Sequence, residues 1–319
     1  EVFFAAYAGE ELMRGDDAAA LPGPKEGERL AFSTDSFVVT PHFFPGGNIG
    51  KLAICGTVND VATSGAVPKY LSCGFVLEEG YPIEDLKKIC QTMAETAKEA
   101  GVHLVTGDTK VVNRGHGDGV FINTSGVGFI PEGVDLSGAH CKPGDKILVT
   151  GTLGDHGITI MSCRESLSFA APVESDAAPL NHLIAEVLAA APDTRCFRDP
   201  TRGGLASTLN ELAEQSQVDM LVKEADVPVK DAVLGACDML GYDVMQVANE
   251  GKMVCVVPAD QSEAALAAMH ANKYGVDAAI VGEVAEMVPE RGPKVYLETP
   301  LGSKRILDML VGEQLPRIC

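Results

Sequence analysis

Residues 29–60 have the sequence RLAFSTDSFVVTPHFFPGGNIGKLAICGTVND, in which a strand pattern is followed directly by a helix pattern. From Arg29 to Thr40 apolar and polar residues alternate and β-branched types are frequent, which predicts a β-strand with a polar interruption at Ser33 to Asp35. A turn at 45–47 leads to Asn48, a residue type that caps helices, and apolar residues then recur at helical spacing. This order of elements favours an α/β fold.

The same strand and helix patterns recur on both sides of this stretch. Strands are predicted at 70–77, 102–105, 119–130, 253–257 and 295–297, and helices at 180–190, 205–215, 262–271 and from Pro82 until Gly101 stops it. The segment 131–146 is rich in Gly, Pro and polar residues and predicts a domain boundary. We therefore expect an α/β (α+β) fold with an N-terminal domain at 1–136, a C-terminal α/β domain at 137–311 and an extended, flexible tail at 312–319.

The composition limits the class of protein. The 319 residues include 25 Lys and Arg against 45 Asp and Glu, a net charge of −20. Binding to nucleic acid or anionic lipid needs clustered basic residues, so neither is expected as a partner. Apolar residues make up 46% of the chain, but no run is long and apolar enough to predict a membrane span. Nine scattered cysteines and no basic leader predict a cytoplasmic globular protein with reduced, mostly buried thiols.

Aspartates recur where an apolar run meets a turn, often beside Thr: Asp17, Asp35, Asp60, Asp108 and Asp199. Any one of them is more often a cap or turn residue than a ligand. Five such aspartates in so acidic a chain favour a site for a nucleotide with magnesium, because Mg²⁺ bridges carboxylates to the phosphate oxygens of a nucleotide. A phosphate loop at 45–52, PGGNIGKL, is not predicted, since Pro45 and Leu52 replace the required Gly and Ser or Thr.

Two further residues are candidates for reactive chemistry. Cys319, the last residue of the sequence, is either an incidental thiol or a reactive group on an extended arm, and in the second case Arg317 would favour its thiolate. Glu250, in the string ANEGK, is either a catalytic base or a charge at the start of a strand. His116 and His156 lie among turn residues, and we expect both to be solvated.

Several strings together resemble the HypE family of hydrogenase maturation proteins. They are STDSFVVTPHFFPGGNIGKLAICGTVNDVATSGAVP (33–68), TGDTKVV (106–112), GTLGDHG (151–157), DPTRGGL (199–205), ANEGK (248–252) and PRIC (316–319). That family belongs to a larger group of ATP-binding enzymes that includes aminoimidazole ribonucleotide synthetase and selenophosphate synthetase. The similarity covers about residues 15–319. The acidic motifs mark the larger group, whereas PRIC is specific to HypE proteins.

The resemblance implies an ATP-dependent carbamoyl dehydratase. Such an enzyme converts a carboxamide on its own last cysteine to a thiocyanate, which supplies cyanide for the iron of nickel-iron hydrogenase. The carbamoyltransferase HypF would load the cysteine, and HypC and HypD would pass the cyanide on. The resemblance also implies that the N-terminal sheet pairs with that of a second subunit in a homodimer, with ATP and Mg²⁺ between the domains.

By motif match, the resemblance also assigns roles to residues. Cys319 would carry the carbamoyl group, Glu250 would act as base, and Lys110 would neutralise the transferring phosphoryl group. The matching magnesium ligands are Asp17, Asp35, Asp60 and Asp108. The matching ATP-binding residues are Asp35, Asp60, Asp108, Asn59, Thr109, Asp199 and Thr201. Family members begin with a Gly-rich segment ahead of the position of Glu1, and without it we expect a less complete cover over the nucleotide.

Two other functions stay open on the sequence. The first is another enzyme of the larger group, a small-molecule kinase or a selenophosphate synthetase, in which Cys319 would be incidental. Phosphorylation of a free small molecule would support it. The second is a thiol carrier without catalytic activity, which an absence of nucleotide turnover would favour.

Overall fold

The computed structural model describes residues 2–7, 9–14, 16, 18–165, 173–310, 312 and 318–319. Its helices are α1 (Val2–Tyr7), α2 (Glu10–Met13), α3 (Ile49–Thr63), α4 (Ile83–Ala100), α5 (Asp155–Arg164), α6 (Asn181–Ala190), α7 (Gly204–Ser216), α8 (Asp231–Leu240) and α9 (Ser262–Ala271). Asp17, a predicted magnesium ligand, lies outside the described residues, as do residues 313–317 of the predicted tail.

The N-terminal half is built on a mixed four-stranded sheet. Its strands are β1 (Arg29–Phe37), β4 (Val67–Glu78), β5 (His103–Val112) and β6 (Val120–Ile130), and a short ribbon of β2 (Phe43–Phe44) and β3 (Gly47–Asn48) precedes α3. The spatial order is β1-β6-β4-β5, with β4 and β5 parallel and the other neighbours antiparallel. Residues of α3, α4 and the covered face of the sheet form one apolar core, which includes Phe37, Ile54, Leu71 and Met93.

The C-terminal half contains a seven-stranded mixed sheet. Its strands are β7 (Lys146–Val149), β8 (Cys196–Arg198), β9 (Asp219–Lys223), β10 (Val254–Val257), β11 (Ala279–Ala285), β12 (Val295–Glu298) and β13 (Lys304–Ile306), in the spatial order β13-β12-β9-β11-β7-β10-β8. Both faces are covered, because alternate residues of β7 enter different cores. Ile147 packs in the core that contains Leu209 of α7, whereas Leu148 packs with Leu183 of α6 and Met269 of α9.

Local signals in the sequence explain where the elements begin and end. The predicted cap Asn48 accepts hydrogen bonds from the backbone N–H of Gly50 at 2.9 Å and Lys51 at 3.2 Å, so the prediction of a capped helix is confirmed. Gly101 ends α4 with φ 71°, as expected. Pro82 was expected at the first helical position but is the cap residue of α4, because its ψ of 125° is extended.

The mixed α/β fold with two sheets agrees with the prediction. The first sheet ends at Ile130 and the second begins at Lys146, on either side of the Gly- and Pro-rich segment, while the exact boundary at residue 136 stays a prediction. All nine cysteines are unpaired, and seven of them are buried. Among the described residues, no helix combines the length and apolar character that a membrane span requires.

Candidate active site

Three loops meet at one end of the C-terminal sheet and carry the motif strings. Strand β7 ends at Val149, β8 ends at Arg198, and both are paired with Val254 at the start of β10. The loops that leave or enter these strands are 150–154, 199–203 and 248–253. The strings GTLGDHG, DPTRGGL and ANEGK, which are far apart in the sequence, are therefore neighbours in the fold.

Asn249 holds the three loops together. Its Oδ1 accepts a hydrogen bond from the Gly154 N–H at 2.7 Å, and its own N–H and Nδ2 both donate to the Pro200 carbonyl at 3.0 Å. The next loop position requires glycine, since a Cβ on Gly251 would lie 1.7 Å from the Asp176 carbonyl oxygen. This close approach brings the chain around Asp176 against the loop that carries Glu250.

Four carboxylates form an acidic cluster between the two halves, and we define the acidic cluster as Asp35, Asp60, Asp199 and Glu250. Burial raises the pKa of Asp60 to about 7, with further contributions from the charges of Asp199 and Asp35, against a 3.0 Å hydrogen bond from Ser33. Burial and then the charge of Asp199 also raise the pKa of Asp35. These groups repel one another, so a bound cation would stabilise their ionised forms.

Glu250 is the most deeply buried carboxylate of the acidic cluster. Its side chain is 5% exposed, and its Oε1 has no hydrogen-bond partner among the described residues. Its backbone N–H donates to Asp176 Oδ1 at 3.1 Å. Burial, followed by the charge of Asp176, raises the pKa of Glu250 well above its ordinary value. A carboxylate in such surroundings is a strong base once it is ionised.

Cys319 lies inside this site. Its main-chain oxygen accepts a hydrogen bond from the Val38 N–H at 2.9 Å, directly after β1. Burial, then the charges of Glu250 and Asp35, raise the pKa of the Cys319 thiol to about 12, while Arg202 opposes the shift. The expectation that the thiolate would be favoured is therefore wrong for this conformation, because the neutral thiol avoids both burial of charge and repulsion by carboxylates.

The predicted position of the aspartates at turns is correct only in part. Asp199 follows β8 in a loop, as expected, but Asp35 and Asp108 lie within strands β1 and β5, and Asp60 lies within α3. In the sequence, the polar residues around Asp35 indicated an interruption of the strand. In the structure the strand continues, because Asp35 is paired with Thr124 of β6 and its neighbours alternate between the two faces of the sheet.

Lys110 and Asp108 are exposed, unlike the members of the acidic cluster. They form an ion pair with each other on β5, and their side chains are 70% and 67% exposed. The hydrogen bond from Lys110 and then that from the Thr109 N–H lower the pKa of Asp108, which is opposite to the shift of Asp35 and Asp60. Asp108 thus has different electrostatic surroundings from the two carboxylates with which it was predicted to bind magnesium.

The other residues predicted to contact ATP differ in how exposed their side chains are. Asn59 is 4% exposed and already uses both ends of its amide, since Nδ2 donates to the Ala178 carbonyl at 3.0 Å and Oδ1 accepts from the Leu180 N–H at 2.7 Å. It links α3 to the C-terminal half. Thr109 is exposed and Thr201 is half-buried beside Arg202.

Sequence reasoning missed several residues of the site. His156 was expected to be solvated but is fully buried, and its ring contacts Ser175 Oγ at 2.8 Å and the Ile318 carbonyl oxygen at 2.7 Å. His116, by contrast, is exposed as expected. The string GTLGDHG contained a signal for His156, whereas nothing in the sequence indicated Ser175 or Asp176.

The donor set of the acidic cluster suits magnesium, but the ligands are not preassembled. Within the described residues, no three His, Cys, Asp or Glu side chains are arranged as a metal site. Mg²⁺ commonly uses only one or two protein carboxylates together with phosphate oxygens and water. Asp35, Asp60 and Asp199, whose charges repel one another, match that mode of binding, in which the nucleotide supplies the remaining ligands.

Comparison with known proteins finds a matching family model for each half of the chain and similar proteins over its full length. Residues 15–130 match the family model "AIR synthase related protein, N-terminal domain", and residues 142–291 match the corresponding C-terminal domain. "Carbamoyl dehydratase HypE" of Azotobacter vinelandii is 52% identical over 319 residues, which are 100% of this chain and 92% of the relative.

Two solved structures are similar to the whole molecule. The crystal structure of the hydrogenase maturation protein HypE in complex with ATP is 48% identical, with a TM-score of 0.94 and coverage of 99% of this chain and 94% of that chain. A chain of the HypE–HypF complex is 48% identical, with a TM-score of 0.85 and coverage of 97% and 98%. This chain therefore belongs to the HypE family of carbamoyl dehydratases, within the AIR synthase-related proteins.

Proposed function

We propose that this protein uses ATP to dehydrate a carboxamide on its own Cys319 to a thiocyanate, and so supplies cyanide for the iron of nickel-iron hydrogenase. The observation that supports this most strongly is the position of Cys319, whose main-chain oxygen is bound by the Val38 N–H and whose thiol has its pKa raised first by burial and then by the charges of Glu250 and Asp35. A kinase acting on a free small molecule would not need its last residue in the site. A carrier without catalysis would not need a buried base beside the thiol.

The chemistry balances with ATP as the only co-reactant. The carboxamide oxygen attacks the γ-phosphorus, ADP leaves, and the nitrogen loses one proton. The carbon–oxygen bond then breaks, phosphate leaves with the former amide oxygen, and loss of the second N–H proton completes the carbon–nitrogen triple bond. The amide oxygen, a poor leaving group, has become a phosphate ester. We assign removal of a nitrogen proton to Glu250, because its carboxylate is buried and its Oε1 has no hydrogen-bond partner in the part of the chain that the structure describes.

The three aspartates of the acidic cluster and Lys110 are proposed to bind the nucleotide. Asp35 and Asp60, with Asp108 and Asp17 by motif match, would hold Mg²⁺, which supplies charge neutralisation for the triphosphate. Asp199, Thr201, Asn59 and Thr109 are kept as proposed ATP-binding residues. Lys110 is exposed and paired with Asp108, so it would have to exchange this partner for a phosphate oxygen.

Replacement of Asp60 by asparagine is expected to reduce ATP turnover by more than about tenfold, because it removes one carboxylate from the cation site. Calorimetric titration of ATP with and without Mg²⁺ would measure the binding component. Binding that is equal with and without Mg²⁺ in the unsubstituted protein would contradict the proposed role of the acidic cluster.

Asp60→Asn should reduce turnover but increase thermal stability, so a stability measurement distinguishes the loss of a magnesium-binding carboxylate from misfolding. Because the folded-state pKa of Asp60 is about 7 and its ordinary value is 3.8, ionisation destabilises the ligand-free fold increasingly between about pH 4 and 7. Asp60→Asn should therefore melt at a higher temperature than the unsubstituted protein at pH 8. The difference should shrink as the pH falls towards 4, where the destabilising charge disappears.

The proposed partners follow from the family. A relative of this chain has been crystallised as a HypE–HypF complex, and we propose that a HypF carbamoyltransferase loads Cys319 here. HypC and HypD proteins would receive the cyanide. We propose the cytoplasm as the compartment, since it supplies ATP and keeps thiols reduced. The direct test is a single turnover of the carbamoylated protein, in which ADP and protein-bound thiocyanate should form in equal amounts.

A homodimer is proposed from the uncovered face of the N-terminal sheet. This face carries exposed Leu30, Phe32 and Val76, and half-buried Tyr70 and Phe129, whose rings are 6.4 Å apart. The opposite face is covered by α3 and α4. An apolar sheet face of this kind needs a partner layer, and a second copy of the same sheet supplies one.

Phe32→Asp is expected to convert the dimer to a monomer, because a carboxylate would be buried in the interface without a partner. Light scattering at micromolar concentration would measure the mass. Leu301→Asp is the matched control, since Leu301 is 96% exposed in the C-terminal half and its replacement should leave the dimer intact. A monomeric mass for the unsubstituted protein would contradict the proposal.

A further inference from the structure

The last two residues are held through their main chain as well as their side chains. His156 Nε2 lies 2.7 Å from the Ile318 carbonyl oxygen, and the Val38 N–H donates to the Cys319 main-chain oxygen at 2.9 Å. Ile318 is 3% exposed and belongs to the apolar cluster that contains Phe44 and Ile160. Both halves of the molecule therefore contribute to one seat for the Ile318–Cys319 segment.

The hydrogen bonds define the tautomer of His156. A carbonyl oxygen only accepts hydrogen bonds, so Nε2 must carry the proton that is shared with Ile318. The Ser175 oxygen accepts from the Ala177 N–H at 3.2 Å and can donate its hydroxyl proton to Nδ1 at 2.8 Å. Burial lowers the pKa of His156, which keeps the ring neutral and this arrangement intact.

Ser175 is itself fixed by the N-terminal half. Its N–H donates to the Pro45 carbonyl at 2.9 Å, and a Cβ on Gly46 would lie 2.7 Å from the Ser175 carbonyl oxygen. The rings of His156 and Phe44 pack nearly perpendicular to each other, with centroids 5.6 Å apart. The imidazole is thus oriented from three sides, and its one remaining polar group faces the tail.

We propose that His156, oriented by Ser175, is a positioning residue that holds the Ile318–Cys319 segment in the site, and that the Ile318 side chain is the anchor by which the site selects this tail. The inference builds on the proposed function, because it explains how the reacting thiol is placed beside Glu250. A seated thiol is also protected, since it is partly buried and its pKa is about 12. Loading of Cys319 therefore requires the segment to leave the seat.

The rate at which a maleimide alkylates Cys319 measures how often the segment leaves. The adduct is quantified on the peptide 305–319 that cleavage after Lys304 releases, with Cys163, the other half-exposed cysteine, as the internal reference. His156→Phe removes the donor and should raise the Cys319 rate roughly tenfold, the factor expected for one lost buried hydrogen bond. His156→Gln, which retains an N–H donor, should restore much of the protection.

A second variant tests the anchor without risk to the fold. Ile318→Ser should also raise the Cys319 rate by roughly tenfold or more, since it removes a buried apolar side chain, whereas Ile318→Val should change it little. Matching synthetic peptides give the intrinsic thiol rates. Unchanged Cys319 alkylation in both His156→Phe and Ile318→Ser would overturn the proposal. The assay needs neither ATP nor a carbamoyl donor, so its outcome is independent of whether the dehydratase reaction itself occurs.

Discussion

Replacement of Cys319 by alanine is expected to abolish thiocyanate formation completely, while the fold and ATP binding are retained. The Cys319 sulfur would carry the carbamoyl group, and the charges of Glu250 and Asp35, two members of the acidic cluster, act on this thiol. Only Sγ is lost, and the seat keeps its hydrogen bonds to the main chain of residues 318 and 319. Mass spectrometry of the protein after a complete reaction, with calorimetry for ATP, would measure both effects.

Cys163→Ala is the matched control for this variant. Cys163 is also half-exposed and packs against the same apolar cluster as Cys319, but it lies on α5 and its pKa is raised by burial alone. Its replacement should leave thiocyanate formation unchanged. A cyano adduct that persists in Cys319→Ala, or that is lost in Cys163→Ala, would show that the reacting thiol has been assigned to the wrong residue.

Glu250→Gln is expected to slow the dehydration of a preloaded carboxamide by about 10²- to 10⁴-fold, the usual contribution of a general base. Glutamine has nearly the same shape but cannot accept the proton, so loading by the carbamoyltransferase should be retained. Rapid quench of a single turnover would separate the two steps. A dehydration rate within a few-fold of the unsubstituted protein would contradict the assignment of the base.

The pH profile gives a second test of the same residue. The rate should fall below the pKa of Glu250, because the protonated carboxyl is not a base. Asp176→Asn keeps an oxygen for the Glu250 N–H but removes the charge that contributes most, after burial, to the raised pKa of Glu250. The acid limb should therefore move to lower pH in this variant. A limb that stays in place would mean that another group titrates.

Much of the fold could be predicted because its signals are local. The alternation in β1, the cap at Asn48 and the glycine after α4 each act over a few residues, and each correctly predicted an element. Some short elements were missed because they lack such a local signal. Strand β8 has three residues and α5 begins after a buried loop without a side-chain cap, so neither produces a periodic pattern.

The site was harder to predict because its geometry depends on contacts between distant segments. Motif strings indicated Asp35, Asp60, Asp199, Glu250 and Cys319 as candidates, and the structure brings these residues together, while their roles stay predictions. The same strings included Lys110 and Asp108, which lie exposed on the edge strand β5 and pair with each other. Burial is what reversed the expectation for His156 and for the ionisation of Cys319, and burial cannot be derived from residues within a turn-like string.

The most direct measurement is the mass of the peptide that ends in Cys319, followed through one reaction. After incubation with a HypF carbamoyltransferase and carbamoyl phosphate, this peptide should gain the mass of one carbamoyl group. After ATP and Mg²⁺ are added, it should lose the mass of one water, with one ADP formed per converted chain. A carbamoyl adduct that stays unchanged while ATP is consumed, or a loss of water on any other peptide, would contradict the central claim.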